Sequence, residues 1–350
     1  MRFLVTGATG MTGSRLVSRL ARRFGPESVL ALTSPFKTPE QDRRRRRLGE
    51  LGVRQLAADL LDPKALEGLP APADAVFHLA AELGVHLRDE GAGAPIRVND
   101  TGTENLLKSL GPTLAGKLFV YASSIGVVDR PSYALDRLTE DSPCRPRTAY
   151  GRTKLRGEEL VVEAARRHAF RTSILRLGTV YGPDCREQHI FDHFTRWVEA
   201  GAPKARIDWP GKISLVYVED VVDVMVGALE EPKLHGGVFL VANQEDVTVG
   251  EMVRLMHEAL GKEARLFALP GWLVTAASWL VFQSWLWRWL PESAAANAWR
   301  LSLIISNGFY CDSSKLARVF PKAWVGAREG VRLSYAGRGG RKEEYADHAH

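Results

Sequence analysis

Residues 6–13 read TGATGMTG and directly follow the apolar run RFLV at positions 2–5. An apolar run broken by glycine, with the amphipathic stretch SRLVSRLARRF behind it, predicts a strand, a tight turn and a helix beginning near Met11. In such a turn each glycine has a steric task. Gly7 permits the reversal, Gly10 lets the backbone approach a pyrophosphate, and Gly13 lets the helix pack on the sheet, which leaves phosphates at the positive helix N-terminus. The pattern points to a dinucleotide site. A merely structural turn is the competing reading, and the flanking strand and helix weigh against it. The opening run is also too short and too lightly flanked for a secretory signal.

Further along, short β-branched runs alternate with helical stretches: SVLALT, VRQLAAD, ADAVFHLA, a helix through TGTENLLKSL, KLFVYASS, a helix from Tyr150, and TSILRLGTVYG. Such alternation predicts an α/β protein with a Rossmann-type, doubly wound parallel sheet. After YGP the pattern turns irregular, returns as the strand-like LVYVEDVVDVMVGAL and GVFLVAN, and then enters a tryptophan-rich apolar segment. The expected organisation is a dinucleotide-binding domain over 1–182 with a returning segment 213–243, and a smaller, mainly helical C-terminal substrate part over 183–336. The tail 337–350, GRGGRKEEYADHAH, has too little apolar surface to pack and is expected to be disordered.

With 350 residues, 45% hydrophobic and 25% charged, the chain has the composition of a folded globular protein. Cys144, Cys185 and Cys311 lie far apart and form no CxxC pair, so neither a disulfide framework nor a metal site is expected, and a reducing, cytoplasmic compartment fits. Much of the net charge of +6 sits in Arg43–Arg47 and in Arg338 and Arg341. The arginine run reads first as a solvated helix face and second as a contact for phosphate or an acidic surface. Without interleaved aromatics or a recognised motif, nucleic acid is not an expected partner.

Tyr150 and Lys154 stand at i and i+4, on one face of the helix that starts there. A phenol of ordinary pKa about 10 is a poor base, and a neighbouring ammonium favours its phenolate. Ser124, ending the fifth strand, is placed to bond a substrate oxygen and orient it toward Tyr150; Ser123 is the alternative if the register slips by one.

These segments occur in a characteristic order: the GxxGxxG turn, AADLLD with Asp59, HLAA from His78 to Ala81, VNDTGTENLL with Asn99, YASS, YGRTK, and RLGTVYGP with Arg176. Over roughly residues 1–245 the chain thereby resembles the extended short-chain dehydrogenase/reductases. The resemblance implies an NAD(P)-dependent enzyme with Ser124, Tyr150 and Lys154 as catalytic set, Lys154 also holding the nicotinamide ribose. It implies that Asn99 supports a proton-relay water, an ordinary helix-start role being the alternative. The cofactor contacts it implies are Gly7, Thr9, Gly10, Met11, Thr12, Gly13, Thr33, Ser34, Lys37, Asp59, Leu60, Leu79, Ala80, Ala81, Tyr150, Lys154 and Val180. Asp59 would accept the adenine amino group and the HLAA backbone would line the adenosine; a helix N-cap for Asp59 and a strand-end polar role for His78 are compatible with this. A carboxylate near Thr33 would bond a ribose 2′-hydroxyl and repel a 2′-phosphate, but LALTSPFK offers only Thr33, Ser34 and Lys37, which favours NADP over NAD. A homodimer is a further implication of the resemblance alone.

Two branches of that group compete for the reaction. Nucleotide-sugar epimerases and dehydratases commonly carry an RDxxxV pattern whose arginine clamps a diphosphate. Here GKISLVYVEDVV places Ile213 and Ser214 there. The segment GWLVTAASWLVFQSWLWRWLP carries Trp272, Trp279, Trp285, Trp287 and Trp289, and the later FYCDSSKLARVF is similar to the closing region of 3β-hydroxysteroid dehydrogenase/dihydroflavonol reductase-like enzymes. The expectation is therefore alcohol–ketone interconversion on a hydrophobic, steroid-, isoprenoid- or flavonoid-like small molecule. A nucleotide-sugar epimerase/dehydratase is the alternative, and a non-catalytic cofactor-binding protein of the same fold the second alternative. For the tryptophan segment three readings stand: core and pocket-lid helices, a peripheral membrane contact through 271–290, and a spanning helix. Gln283 and Arg288 interrupt it, and indole rings suit an interface or a pocket better than a bilayer centre.

Overall fold

The N-terminal apolar run forms β1 (Phe3–Thr6), buried throughout, and the glycine turn hands it to α1 (Met11–Phe24). The computed structural model describes residues 1–35, 38–69, 74–83, 97–128, 137–185, 190–282, 289–307 and 309–336. Lys37, Gln283, Trp285, Trp287, Arg288 and the tail 337–350 lie outside the described residues. The chain continues through β2 (Val29–Thr33), α2 (Pro39–Glu50), β3 (Arg54–Ala57), β4 (Ala75–His78), α3 (Thr103–Leu110), β5 (Leu118–Ser124), α4 (Ala149–His168), β6 (Arg171–Leu177) and β7 (Thr179–Tyr181). Then come α5 (Ile190–Glu199), β8 (Ile207–Asp208), β9 (Lys212–Ile213), β10 (Leu215–Tyr217), α6 (Val218–Gly227), β11 (Gly237–Val241), β12 (Val247–Thr248) and α7 (Val249–Ala259). The remaining elements are β13 (Phe267–Ala268), α8 (Gly271–Phe282), α9 (Glu292–Ile305), α10 (Ser314–Val319) and α11 (Ala327–Tyr335).

Seven strands form one parallel sheet in the order β11-β6-β5-β4-β1-β2-β3. Its central strands read as unbroken apolar runs because helices cover both faces. Strand order reverses between β1 and β4, and the crevice outside the carboxyl ends at such a reversal is where open α/β sheets hold ligands. Gly7 sits there with φ +64°, and a Cβ on it would lie 2.7 Å from the Ala80 nitrogen; one on Gly13 would lie 2.1 Å from the Gly7 carbonyl oxygen. The turn therefore closes only with glycine. A second apolar cluster, including Phe191, Phe194, Trp209, Met252 and Val331, gathers α5, α7, α11 and the β7–β10 pair beyond the sheet's edge.

Two stretches differ from their sequence reading. LVYVEDVVDVMVGAL is a strand only over Leu215–Tyr217; from Val218 it is helix, burying Val218, Val221, Val222 and Met225 while Glu219 and Asp223 pair with Arg15 and Arg19 of α1 at 3.3 and 2.7 Å. Burial against α1 overrides the strand preference of valine, which is weak and dependent on context. In the arginine run, Arg44 is buried beside Leu48 on the inner face of α2, donating to the carbonyls of Thr9 at 3.2 Å and Asp184 at 3.0 Å. It braces the glycine turn, where a solvated face was expected. Among the described residues no helix is long and apolar enough to cross a membrane, α8 having 12 residues.

His78 ends β4 fully buried, hydrogen-bonded through Nδ1 to the Thr6 hydroxyl at 2.6 Å and through Nε2 to the Thr103 hydroxyl at 2.8 Å. Burial pulls its pKa from 6.5 down to about 3, with the charge of Lys154 adding to the effect. The folded state thus keeps the ring neutral, while the unfolded chain takes up a proton below pH 6.5, so stability falls as pH drops from there toward 3. Between pH 7 and pH 5 the His78 contribution should cost about 2 kcal/mol. Urea midpoints measured at both pH values should show that loss, and His78→Gln should flatten it.

Candidate active site

Helix α4 opens on Thr148, whose hydroxyl accepts from the Gly151 nitrogen at 3.0 Å, and this cap sets Tyr150 and Lys154 over the end of β5. The Tyr150 phenol is hydrogen-bonded to the Ser124 side chain, and the Ser124 Oγ accepts from the Gly126 nitrogen at 3.1 Å. The neighbouring Ser123 hydroxyl turns the other way, donating to Glu158 Oε1 at 2.5 Å. Of the two candidate serines, Ser124 is the one whose hydroxyl meets Tyr150.

Burial pushes the Tyr150 phenol up to about 12, with the Ser124 hydrogen bond pulling the other way. Lys154 is 1% exposed, with Nζ 4.2 Å from the centre of the Tyr121 ring, and burial pulls it down to about 7 against the opposing charge of Glu158. The ammonium expected to favour the phenolate is itself driven toward neutrality. With protein groups alone, desolvation exceeds charge assistance, and Tyr150 keeps its proton.

Behind this pair lies a buried polar knot. Arg176 donates Nε and Nη2 to the two carboxylate oxygens of Glu158 at 3.0 and 2.8 Å, and Nη2 also reaches Cys144 Sγ at 3.2 Å. Asn99, with no exposed surface, donates to the Glu82 carbonyl at 3.0 Å and to the Thr153 hydroxyl at 3.1 Å and accepts from the Glu82 nitrogen at 2.8 Å. Its amide staples the segment after β4 to the residue preceding Lys154, and both its amide donors go to protein groups.

A cavity of about 1390 Å³ runs across the sheet's carboxyl edge. Of the expected cofactor and catalytic residues its wall includes Gly7, Gly10, Met11, Thr12, Gly13, Leu79, Ala81, Ser124, Tyr150 and Val180. Thr9, Thr33, Ser34, Asp59, Leu60, Ala80, Asn99 and Lys154 are not on that wall. Asp59 accepts from the Leu61 nitrogen at 2.9 Å in the turn after β3, and Thr33, 2% exposed, reaches the Leu56 carbonyl at 3.4 Å.

The far end of the cavity was not legible beforehand. It is walled by Trp197, Trp209 and Trp299 together with His193, Lys204 and Arg300. Lys204 Nζ lies 5.2 Å from the Trp197 ring centre, and Arg300 donates to Asn297 Oδ1 at 3.0 Å. His193 is held below its ordinary pKa by burial and by the Arg300 and Arg196 charges. The only available signal was weak: Asn297, Arg300 and Ile304 recur at helical spacing on α9. Ile213, where the arginine was missed, is 3% exposed and bridges Phe309 inside apolar packing. Of the tryptophans expected to line a pocket, the three among the described residues are exposed instead, Trp272 at 73%, Trp279 at 62% and Trp289 at 83%.

The sequence profile of the NAD dependent epimerase/dehydratase family matches residues 3–242. UDP-glucuronate 4-epimerase 1 of Arabidopsis thaliana is 29% identical over 295 residues, covering 77% of this chain and 67% of that protein. UDP-glucose 4-epimerase of Vibrio cholerae is 28% identical over 274 residues, covering 77% and 79%. Among solved structures, the Thermus thermophilus UDP-glucose 4-epimerase complex with NAD matches at TM-score 0.72 and 25% identity, covering 96% of this chain and 98% of that one. The Bacillus cereus UDP-glucuronic acid 4-epimerase complex with UDP-glucuronic acid and NAD matches at TM-score 0.72 and 22% identity, with the same coverage, a likeness of fold. These relatives overturn the expected steroid- and flavonoid-type branch and its hydrophobic substrate. Of the indoles the expectation counted, Trp272, Trp279 and Trp289 are not on the cavity wall, whereas the uncounted Lys204 and Arg300 are. The expected preference for NADP likewise finds no support among these neighbours, which hold NAD.

Proposed function

The chain belongs to the NAD dependent epimerase/dehydratase family, and on that premise we propose that it binds a nicotinamide dinucleotide and converts a nucleotide sugar without net use of the cofactor. The observation that carries the reading is the continuity of one cavity, from the Gly7–Gly13 turn past Ser124 and Tyr150 to an end that combines indoles with Lys204 and Arg300. Indole faces suit a nucleobase, and the two cations suit a diphosphate, which would otherwise lose its hydration uncompensated at a cost of several kcal/mol.

The glycine turn fits a dinucleotide because Gly7, Gly10 and Gly13 line the cavity where the chain enters the N-terminus of α1, the end of a helix that favours phosphate. When bound, the nicotinamide supplies a hydride acceptor and donor. The chain's own groups then have defined tasks: Ser124 orients a sugar hydroxyl, Tyr150 takes and returns its proton, and Lys154 biases the phenol's charge. We read the dinucleotide as NAD. The lack of a carboxylate near Thr33 leaves NADP admissible, and calorimetric titration with both decides between them.

Purified protein incubated with UDP-glucose or UDP-glucuronate should form the 4-epimer with no net change in reduced cofactor. Failure to epimerise or dehydrate any member of a panel of UDP- and dTDP-sugars would overturn the proposal. Arg300→Ala should raise KM roughly 10- to 100-fold with a smaller change in kcat, as expected for loss of an interaction made equally in ground and transition states. An unchanged KM in steady-state kinetics would remove Arg300 from the diphosphate site.

A further inference from the structure

Strand and helix periodicity bring two pairs of side chains together behind Tyr150. On β5, Tyr121 and Ser123 stand two residues apart and share one side of the sheet; on α4, Lys154 and Glu158 stand at i and i+4 and share one face. The pairs meet one to one. Ser123 donates its hydroxyl to Glu158, and the Tyr121 ring faces Lys154, whose Nζ lies 4.2 Å from the ring centre. Gly157, one turn along from Lys154, leaves the ring its room, since a Cβ there would collide with the Tyr121 hydroxyl. Tyr121 is fully buried and Lys154 is 1% exposed, so the cation meets the ring away from bulk water.

The other polar groups near this ammonium are already committed. Glu158, whose charge acts in favour of the ammonium, has its oxygens engaged by Arg176 and Ser123. His78, 5.7 Å from the Tyr121 ring centre, is buried and neutral, and Tyr150 keeps its proton. Asp100, half-buried before α3, accepts from the Thr101 nitrogen at 2.6 Å. The group that faces the ammonium is the ring.

We propose that Tyr121 is a positioning residue for Lys154: the face of its ring holds the lysine charged and in place on the side of α4 that carries Tyr150. The proposal rests on the catalytic role read above for Lys154. An aromatic face suits the task better than a carboxylate would. It attracts positive charge without accepting any of the three ammonium donors, which stay available to the ribose hydroxyls of a bound dinucleotide.

The test changes the electrons of the ring and keeps its shape, because leucine at this position would open a cavity to water. Tyr121→Phe is compared with the same site carrying trifluorinated or pentafluorinated phenylalanine, whose rings progressively lose their negative face. In protein isotope-labelled at its lysine side chains, the Lys154 NMR signal is assigned by its absence from Lys154→Met and titrated with no ligand present. Phenylalanine should titrate as wild type does, and the midpoint should fall along the series, by about one pH unit or more with the pentafluorinated ring, the scale of a desolvated cation–π contact. Should phenylalanine there unfold the protein, ring-fluorinated tyrosines give the same comparison with the hydroxyl kept. A midpoint that stays constant along the series, in variants whose circular dichroism matches the wild type, overturns the proposal. A graded midpoint in a protein that converts no nucleotide sugar would sink the proposed function and leave the role of the ring standing; a constant midpoint in an active enzyme would do the reverse.

Discussion

Tyr150→Phe should fold, bind the dinucleotide with near-normal affinity and lose roughly 10²- to 10⁴-fold in kcat, the range spanned by removal of a positioned acid–base group. The phenol is hydrogen-bonded to the Ser124 side chain on the wall of the cavity, and phenylalanine keeps the ring and its packing while deleting only the proton carrier. The raised pKa sharpens the test. At about 12, a free phenol would be ionised to only about one part in 10⁵ at pH 7, so wild-type kcat/KM should climb with pH through the neutral range while the variant's residual rate stays flat. Steady-state kinetics over that range, with cofactor affinity measured by titration, separates loss of chemistry from loss of binding. Near-normal turnover in the variant, or a pH slope shared by both proteins, would end the assigned role.

The largest expected effect on stability comes from Glu158→Gln. Glu158 and Arg176 have side chains only 7% and 6% exposed, and the guanidinium cannot shed its proton to escape. Removing one partner leaves an uncompensated buried charge and should cost about 3–5 kcal/mol, read as a shift in urea midpoint at unchanged m-value. Glu158→Gln/Arg176→Met should recover part of that loss, because the charge left buried by the single change is then gone. The carboxylate also receives the Ser123 hydroxyl and holds up the Lys154 pKa, so the single variant should move the pH dependence of turnover as well as the melting behaviour. A loss below about 1 kcal/mol would mean that water already compensates the pair.

What the sequence determined by itself was whatever local sterics and spacing dictate. TGATGMTG forced a strand, a turn and a helix because only glycine fits where the Gly7 and Gly13 backbones meet their neighbours. The alternation of apolar runs with helical stretches dictated a parallel sheet. The i, i+4 spacing put Tyr150 and Lys154 on one face over the end of the strand that carries Ser124. Each of these follows from a short window. The tertiary structure alone decided matters that depend on which neighbour covers which face. Packing against α1 made a helix of a valine-rich run that reads as a strand. Burial beside Leu48 turned Arg44 from a solvated charge into a brace for the glycine turn. The cavity's far end drew Lys204 and Arg300 from segments far apart in sequence, while α8 buried Ser278 and turned Trp272 and Trp279 to solvent. A helix that is apolar on all sides carries no periodic signal for its inner face, and a cation's partner is fixed only when distant segments meet; that is why the substrate class could not be read from the indoles.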